Sequence, residues 1–114
     1  MKAEGLPAVS EEYFFDQVLE LAHDCGYILA HFRPARTKYG WVTAVAGDGR
    51  GFPDCIITKL GRTIIAELKT NSRKSKLSIE QARWLLILRR TPGLEVFIWR
   101  PRQWDRIVSI LQRR

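Results

Sequence analysis

Cysteine is scarce in this chain, and long apolar runs, repeats and low-complexity tracts are missing. Only Cys25 and Cys55 occur in 114 residues, and they form no Cys-x-x-Cys pair. That spacing argues against a zinc ribbon and against a disulfide framework. Both are expected as reduced core side chains of a cytoplasmic protein. No stretch approaches the roughly 18 consecutive apolar residues that a membrane span needs, and the amino terminus lacks a signal-like hydrophobic run. What is present describes a folded globule. Apolar residues make up 46% of the chain and aromatics 11%, which suits one domain with a real core rather than a disordered arm. The net charge of +7 points to an acidic polymer as partner, nucleic acid first.

Residues 1–9 include Gly5 and Pro7 and are expected as a flexible arm, leaving 10–114 as the domain. Ser10 reads as the N-cap of a helix with Glu11 and Glu12 in its first turn, and Gly26 as its end. Tyr27 to Arg33 reads as a strand. Pro34 to Phe52 reads mainly as a long basic loop, with a short strand at Trp41 to Val45. Asp54 to Lys59 and Arg62 to Lys69 form a hairpin turned at Leu60-Gly61. Thr70 to Lys76 is a basic connector, and Ser78 with Gln81 has the form of a capping box that opens a helix through Arg90. Thr91-Pro92-Gly93 breaks that helix before a strand at Leu94 to Trp99, and Pro101 opens a last helix to about Gln112. This order predicts an α/β fold in which helices flank a mixed sheet.

The hairpin carries the chemistry. Side chains alternate faces along a strand, so Thr63, Ile65, Glu67 and Lys69 share one face, with Ile64, Ala66 and Leu68 on the other. Asp54, behind the turn Gly51-Phe52-Pro53, begins the partner strand. An ionisable pair ending so apolar a strand is costly to bury without compensation. A divalent cation shared by Asp54 and Glu67 would supply it. Mg²⁺ or Mn²⁺ suits hard oxygen donors and takes one or two carboxylates, and the Leu68 carbonyl is a third candidate ligand. Lys69 then holds the attacking water, stabilises developing charge or acts as base. The competing reading is a surface ion pair at a strand end.

Glu11 sits near the middle of the apolar stripe of its helix and is the candidate first-turn acid aimed inward, with Glu12 as the alternative; the competing reading is simple stabilisation of the helix dipole. Gln81 serves either the capping box or a bridge to Lys69 or the phosphate, since one amide is not expected to do both well. His31 is expected as a satisfied core residue. Trp41 is suited to stacking on a base, while Trp84, Trp99 and Trp104 read as core. Arg33, Arg36, Lys38, Arg50, Arg73, Lys74 and Lys76 fall in segments flanking the site and form a candidate phosphate-binding rim.

These residues together resemble the PD-(D/E)xK nuclease superfamily, and within it the virus-type replication-repair nuclease (VRR-NUC) branch. The resemblance runs from Ser10-Glu11 through Gly51-Phe52-Pro53-Asp54, Ala66-Glu67-Leu68-Lys69 and Leu77-Ser78-Ile79-Glu80-Gln81-Ala82-Arg83-Trp84-Leu85 to Val96-Phe97-Ile98-Trp99-Arg100-Pro101. It implies a restriction-endonuclease-like three-layer core. It also implies that Asp54 and Glu67 bind Mg²⁺ or Mn²⁺, that Lys69 serves the nucleophile, and that Glu11 and Gln81 complete the site. The implied activity is a homodimeric DNA endonuclease acting on branched DNA such as Holliday junctions or flaps, in a bacterial or phage-infected cytosol. Phe15 departs from the family, which often has a polar residue there, and Tyr39 to Arg50 is a long insertion. A sequence- or lesion-directed nickase and an inactive DNA-binding module are the rival expectations.

Overall fold

The computed structural model describes residues 10–33, 35–42 and 45–113, with the backbone alone at 35 and 36. The arm expected at 1–9 lies outside the described residues. Helix α1 spans Glu11–Asp24, and the Ser10 hydroxyl caps it by accepting the Tyr13 amide at 3.0 Å. Its end is a Schellman turn. Gly26, at φ 87°, donates to His23 O, and Tyr27 donates to Ala22 O, the paired bonds of that motif.

Because Tyr27 is held in that cap, strand β1 begins only at Ile28 and ends at His31, shorter than the expected Tyr27 to Arg33. The expected basic loop is partly folded. Strands β2 (Ala35–Thr37) and β3 (Gly40–Val42) pair as a separate antiparallel hairpin, so the single strand anticipated at Trp41 to Val45 starts earlier, at Gly40, and its positions 43 and 44 lie outside the described residues. Thr37 explains the turn: its hydroxyl accepts the Tyr39 amide at 3.1 Å and donates to Gly40 O at 2.9 Å.

Strands β4 (Cys55–Lys59) and β5 (Arg62–Leu68) form the expected hairpin. Helix α2 (Ile79–Arg89) then crosses to β6 (Leu94–Trp99), which lies parallel to β5. A 3₁₀ turn at Pro101–Gln103 leads into α3 (Trp104–Gln112), where one continuous helix from Pro101 is expected. The four-stranded sheet has the order β1-β4-β5-β6 and is mixed: three strands pair antiparallel and the last pairs parallel.

Alternation along β5 sorts the core into two faces. Ile64, Ala66 and Leu68 pack with Ile57 and Cys55 beneath Phe14, Val18 and Ala22 of α1 and Ile107, Ile110 and Leu111 of α3. On the opposite face Ile65 and Val96 meet Leu85 of α2. Burying each large aliphatic side chain contributes about 1.5–3 kcal/mol, so the α1–α3 face carries most of the hydrophobic stabilisation. Cys25 and Cys55 are both free thiols, and burial pushes the Cys55 thiol well above its ordinary range.

A polar lock closes the end of the sheet away from Asp54. Arg62 donates to both Glu95 carboxylate oxygens, at 2.6 and 2.8 Å, and also to Tyr27 Oη and Ile110 O, each at 2.8 Å. One guanidinium thereby ties the α1–β1 turn, β5, β6 and α3 together. Among the described residues no helix is long and apolar enough to cross a membrane.

Candidate active site

Register brings the two acids together. Cys55 pairs with Ala66, so the next step along the hairpin sets Asp54 opposite Glu67. The Asp54 amide donates to Glu67 Oε1 at 3.2 Å, and the Leu68 amide donates to Asp54 Oδ2 at 2.9 Å. Each carboxylate is thus anchored on the other strand's backbone. The strand beside them contributes as well, since the Phe32 amide donates to Asp54 O at 2.7 Å.

Glu67 is 1% exposed and is the buried charged side chain among the described residues. Its Oε2 accepts from Gln81 Nε2 at 2.9 Å and lies 3.5 Å from Lys69 Nζ. Lys69 follows β5, and its amide donates to Trp99 O at 2.9 Å, which holds the residue against β6. Gln81 does both of the jobs expected to compete for its single amide. Its Oε1 accepts from Ser78 N at 2.9 Å, completing the capping box, and from Lys69 Nζ at 3.1 Å. A carbonyl oxygen has two lone pairs, and the amide nitrogen remains for Glu67. The N-terminus of α2 is therefore tied to the acidic pair.

The electrostatics follow from crowding. Burial first, then the neighbouring Asp54 charge, lift the Glu67 carboxyl to about 7 despite Lys69. Burial likewise lifts Asp54 to about 6, opposed by the Leu68 amide and reinforced by Glu11. Glu11 is exposed in the first turn of α1, and its charge is among those that raise Asp54.

With both carboxyls ionised the pair carries two negative charges, and Lys69 offsets one. Hard oxygen donors, partial desolvation and a residual negative charge fit a small divalent cation. Among the described residues no three Asp, Glu, His or Cys side chains gather closely enough to hold an ion unaided. A metal here would therefore need backbone, solvent or ligand oxygens besides Asp54 and Glu67.

Beside Asp54 and Gln81 opens a groove of about 750 Å³, walled by Phe32, Trp41, Val42, Phe52 and Arg50 among others. The loop carrying Asp54 is seated on α2 by contacts that the sequence reading did not identify. Trp84, read there as core, is only half-buried, and its Nε1 donates to Asp48 O at 3.0 Å and Arg50 O at 3.1 Å. Phe52 packs edge-on against Trp84, with centroids 5.0 Å apart. Gly51, at φ 82°, lies so close to α2 that a Cβ would come within 2.6 Å of Glu80 Cβ and 2.8 Å of Gln81 N. Glycine is required there on both counts. Trp84 lies one turn after Gln81 on the same helix, which was the available signal for its role.

The basic rim is distributed unevenly. Arg50 lines the groove, and Arg33 follows Phe32, with its guanidinium 5.9 Å from the Phe15 ring. Lys38 sits at the tip of the β2–β3 hairpin over Tyr39. The Arg36 side chain lies outside the described set. Arg73, Lys74 and Lys76 are exposed on the connector after Lys69, which Arg100 straps down by donating to Thr70 O and to Ser75 O. His31 departs from expectation. It stacks on Phe15 at 3.8 Å, yet its Nδ1 is buried without a hydrogen-bond partner. Trp99 is buried in the core, as expected, and Trp104 is half-buried against it. Comparison with models of known protein families gives no match to this chain, and comparison with curated proteins gives none either.

Proposed function

We propose that this chain is a divalent-metal-dependent DNA endonuclease with a restriction-endonuclease-like core. The observation that carries the reading is the in-register convergence of Asp54 and Glu67, two desolvated acids with Lys69 and Gln81 hydrogen-bonded into the same cluster. Asp54, Glu67 and the Leu68 carbonyl would hold Mg²⁺ or Mn²⁺. Such an ion supplies charge neutralisation at the phosphate and lowers the pKa of a bound water.

The protein groups then have distinct tasks. Lys69 projects a cation beside Glu67, where negative charge develops on the phosphate oxygens. Gln81 holds both Lys69 and Glu67 and so fixes the spacing between the positive group and the acidic pair. Glu11 adds a second negative centre near Asp54 and suits positioning a water that approaches from α1. Hydrolysis adds a water hydroxyl to phosphorus, breaks the phosphorus–sugar-oxygen bond and delivers a proton to the departing oxygen. Arg33, Lys38, Arg50, Arg73, Lys74 and Lys76 offer contacts for flanking phosphates, with Arg36 as a further candidate from sequence.

Preference for branched DNA, a homodimeric state and residence in a bacterial or phage-infected cytosol rest on the family resemblance. A dimer would present two sites to opposed strands of a junction. The test is cleavage of four-way, flap and duplex DNA with Mg²⁺ or Mn²⁺, beside Asp54→Ala, Glu67→Ala and Lys69→Ala. Metal-dependent cutting by the wild type and loss in all three variants is the expected result. Cutting retained by all three removes the site assignment, and wild-type DNA binding without any cutting leaves an inactive binding module.

A further inference from the structure

We propose that the groove between the β2–β3 hairpin and the loop at 45–52 receives an unpaired nucleobase next to the phosphate that is cut. The inference rests on the nuclease reading and adds to it a physical basis for selecting broken or branched duplex. Asp54 and Gln81 are among the residues that line the groove, so a ligand that fills it meets the acidic cluster. Its volume of about 750 Å³ falls within the roughly 300–1,000 Å³ typical of small-molecule sites.

The walls have the chemistry of a base site. Trp41 is 67% exposed and Phe32 43% exposed, and both line the groove. Phe32 is the outer ring of a buttressed series: it meets Phe52 edge-on at 5.7 Å, and Phe52 meets Trp84 at 5.0 Å. The exposed parts of Phe32 and Trp41 offer aromatic surface to a flat, apolar ligand. Arg50 on the wall and Arg33 beside Phe32 supply the positive charge that a strand's phosphates require. Aromatic surface between basic groups and an acidic metal-type cluster favours a nucleotide over an apolar peptide, whose backbone would find little pairing there. A base inside a duplex is stacked on both faces and cannot enter. Only an unpaired one can, and stacking on such platforms is strong enough to select for it.

The test uses flap and four-way DNA carrying 2-aminopurine or an abasic site on either side of the mapped cut, one position at a time. Trp41→Ala is expected to lower cleavage about tenfold where a base is present and no more than about twofold where that position is abasic. Trp41→Phe, which keeps a stacking ring, should recover most of the loss. With Ca²⁺ replacing the active metal, 2-aminopurine fluorescence should be quenched by the wild type and not by Trp41→Ala. Equal loss on base-containing and abasic DNA, or no loss on either, overturns the proposal. So does a Trp41→Ala protein that loses a dimer in sedimentation while the base dependence persists, since the groove would then hold a second copy. A wild type that quenches 2-aminopurine but never cuts sinks the nuclease reading and spares the groove. A wild type that cuts without any dependence on Trp41 does the reverse.

Discussion

Asp54→Asn should make the metal-free protein more stable at alkaline pH while abolishing metal-dependent chemistry. The substitution keeps an oxygen for the Leu68 amide and removes one of the two charges facing each other across the hairpin. Asp54 is raised from an ordinary 3.8 to about 6, and Glu67 from 4.5 to about 7, both chiefly by burial. A folded-state value above the unfolded one means that the native protein holds its proton longer. Its contribution is therefore complete below pH 4 and is lost as pH climbs through 6 and 7. Raising a carboxyl from 3.8 to about 6 corresponds to roughly 3 kcal/mol once pH exceeds both values, and partial solvent access reduces that to about 1–3 kcal/mol.

The assay is thermal unfolding in EDTA from pH 4 to 8 for wild type and Asp54→Asn, read as their difference so that other titrations cancel. The variant should match the wild type near pH 4 and exceed it by roughly 4–10 °C at pH 8. Mn²⁺ at pH 8 should then raise the wild type and leave the variant unmoved, because only a site that binds in the native state shifts stability by mass action. A difference that does not depend on pH, or a variant less stable at pH 8, would refute the claim that these acids repel each other in a desolvated site.

Three further outcomes follow from the same structure. Arg62→Ala removes the guanidinium shared by Glu95, Tyr27 and Ile110 and should cost about 2–4 kcal/mol in urea unfolding. Gly51→Ala forces a Cβ into Glu80 and Gln81 at a positive φ, so it should cost about 1–3 kcal/mol. It should also lower cleavage at least tenfold by displacing Asp54 from Glu67, as single-turnover rates would record. His31→Phe removes a buried nitrogen without a partner while keeping a ring against Phe15. Burial and then Arg33 hold His31 below its ordinary 6.5, so its stability contribution is present above that value and is lost as pH falls below it. The variant should therefore gain on the wild type as pH drops from 7 to 5 in thermal unfolding.

Local patterns in the sequence were sufficient wherever local forces decide the structure. Ser10, Gly26 and the Ser78–Gln81 pair mark helix ends because capping is a matter of a few adjacent atoms. Alternation from Arg62 to Leu68 correctly sorts the two core faces, since a strand buried on both sides must distribute its side chains that way. The segment between residues 34 and 52 resisted for the opposite reason. Its β2–β3 hairpin has three-residue strands, and its loop is held by Trp84 and by the close approach of Gly51 to α2. Those contacts join residues about thirty or more positions apart, so no local pattern announces them. Gln81 shows the same divide within one side chain: its capping role is written in the spacing to Ser78, and its link to Glu67 and Lys69 exists only once α2 crosses the sheet.

Anomalous diffraction from a crystal soaked in Mn²⁺ at pH 8 tests the central claim most directly. The account expects one strong peak bonded to carboxylate oxygens of both Asp54 and Glu67. A peak elsewhere, or none while Asp54 and Glu67 stay side by side, would contradict it.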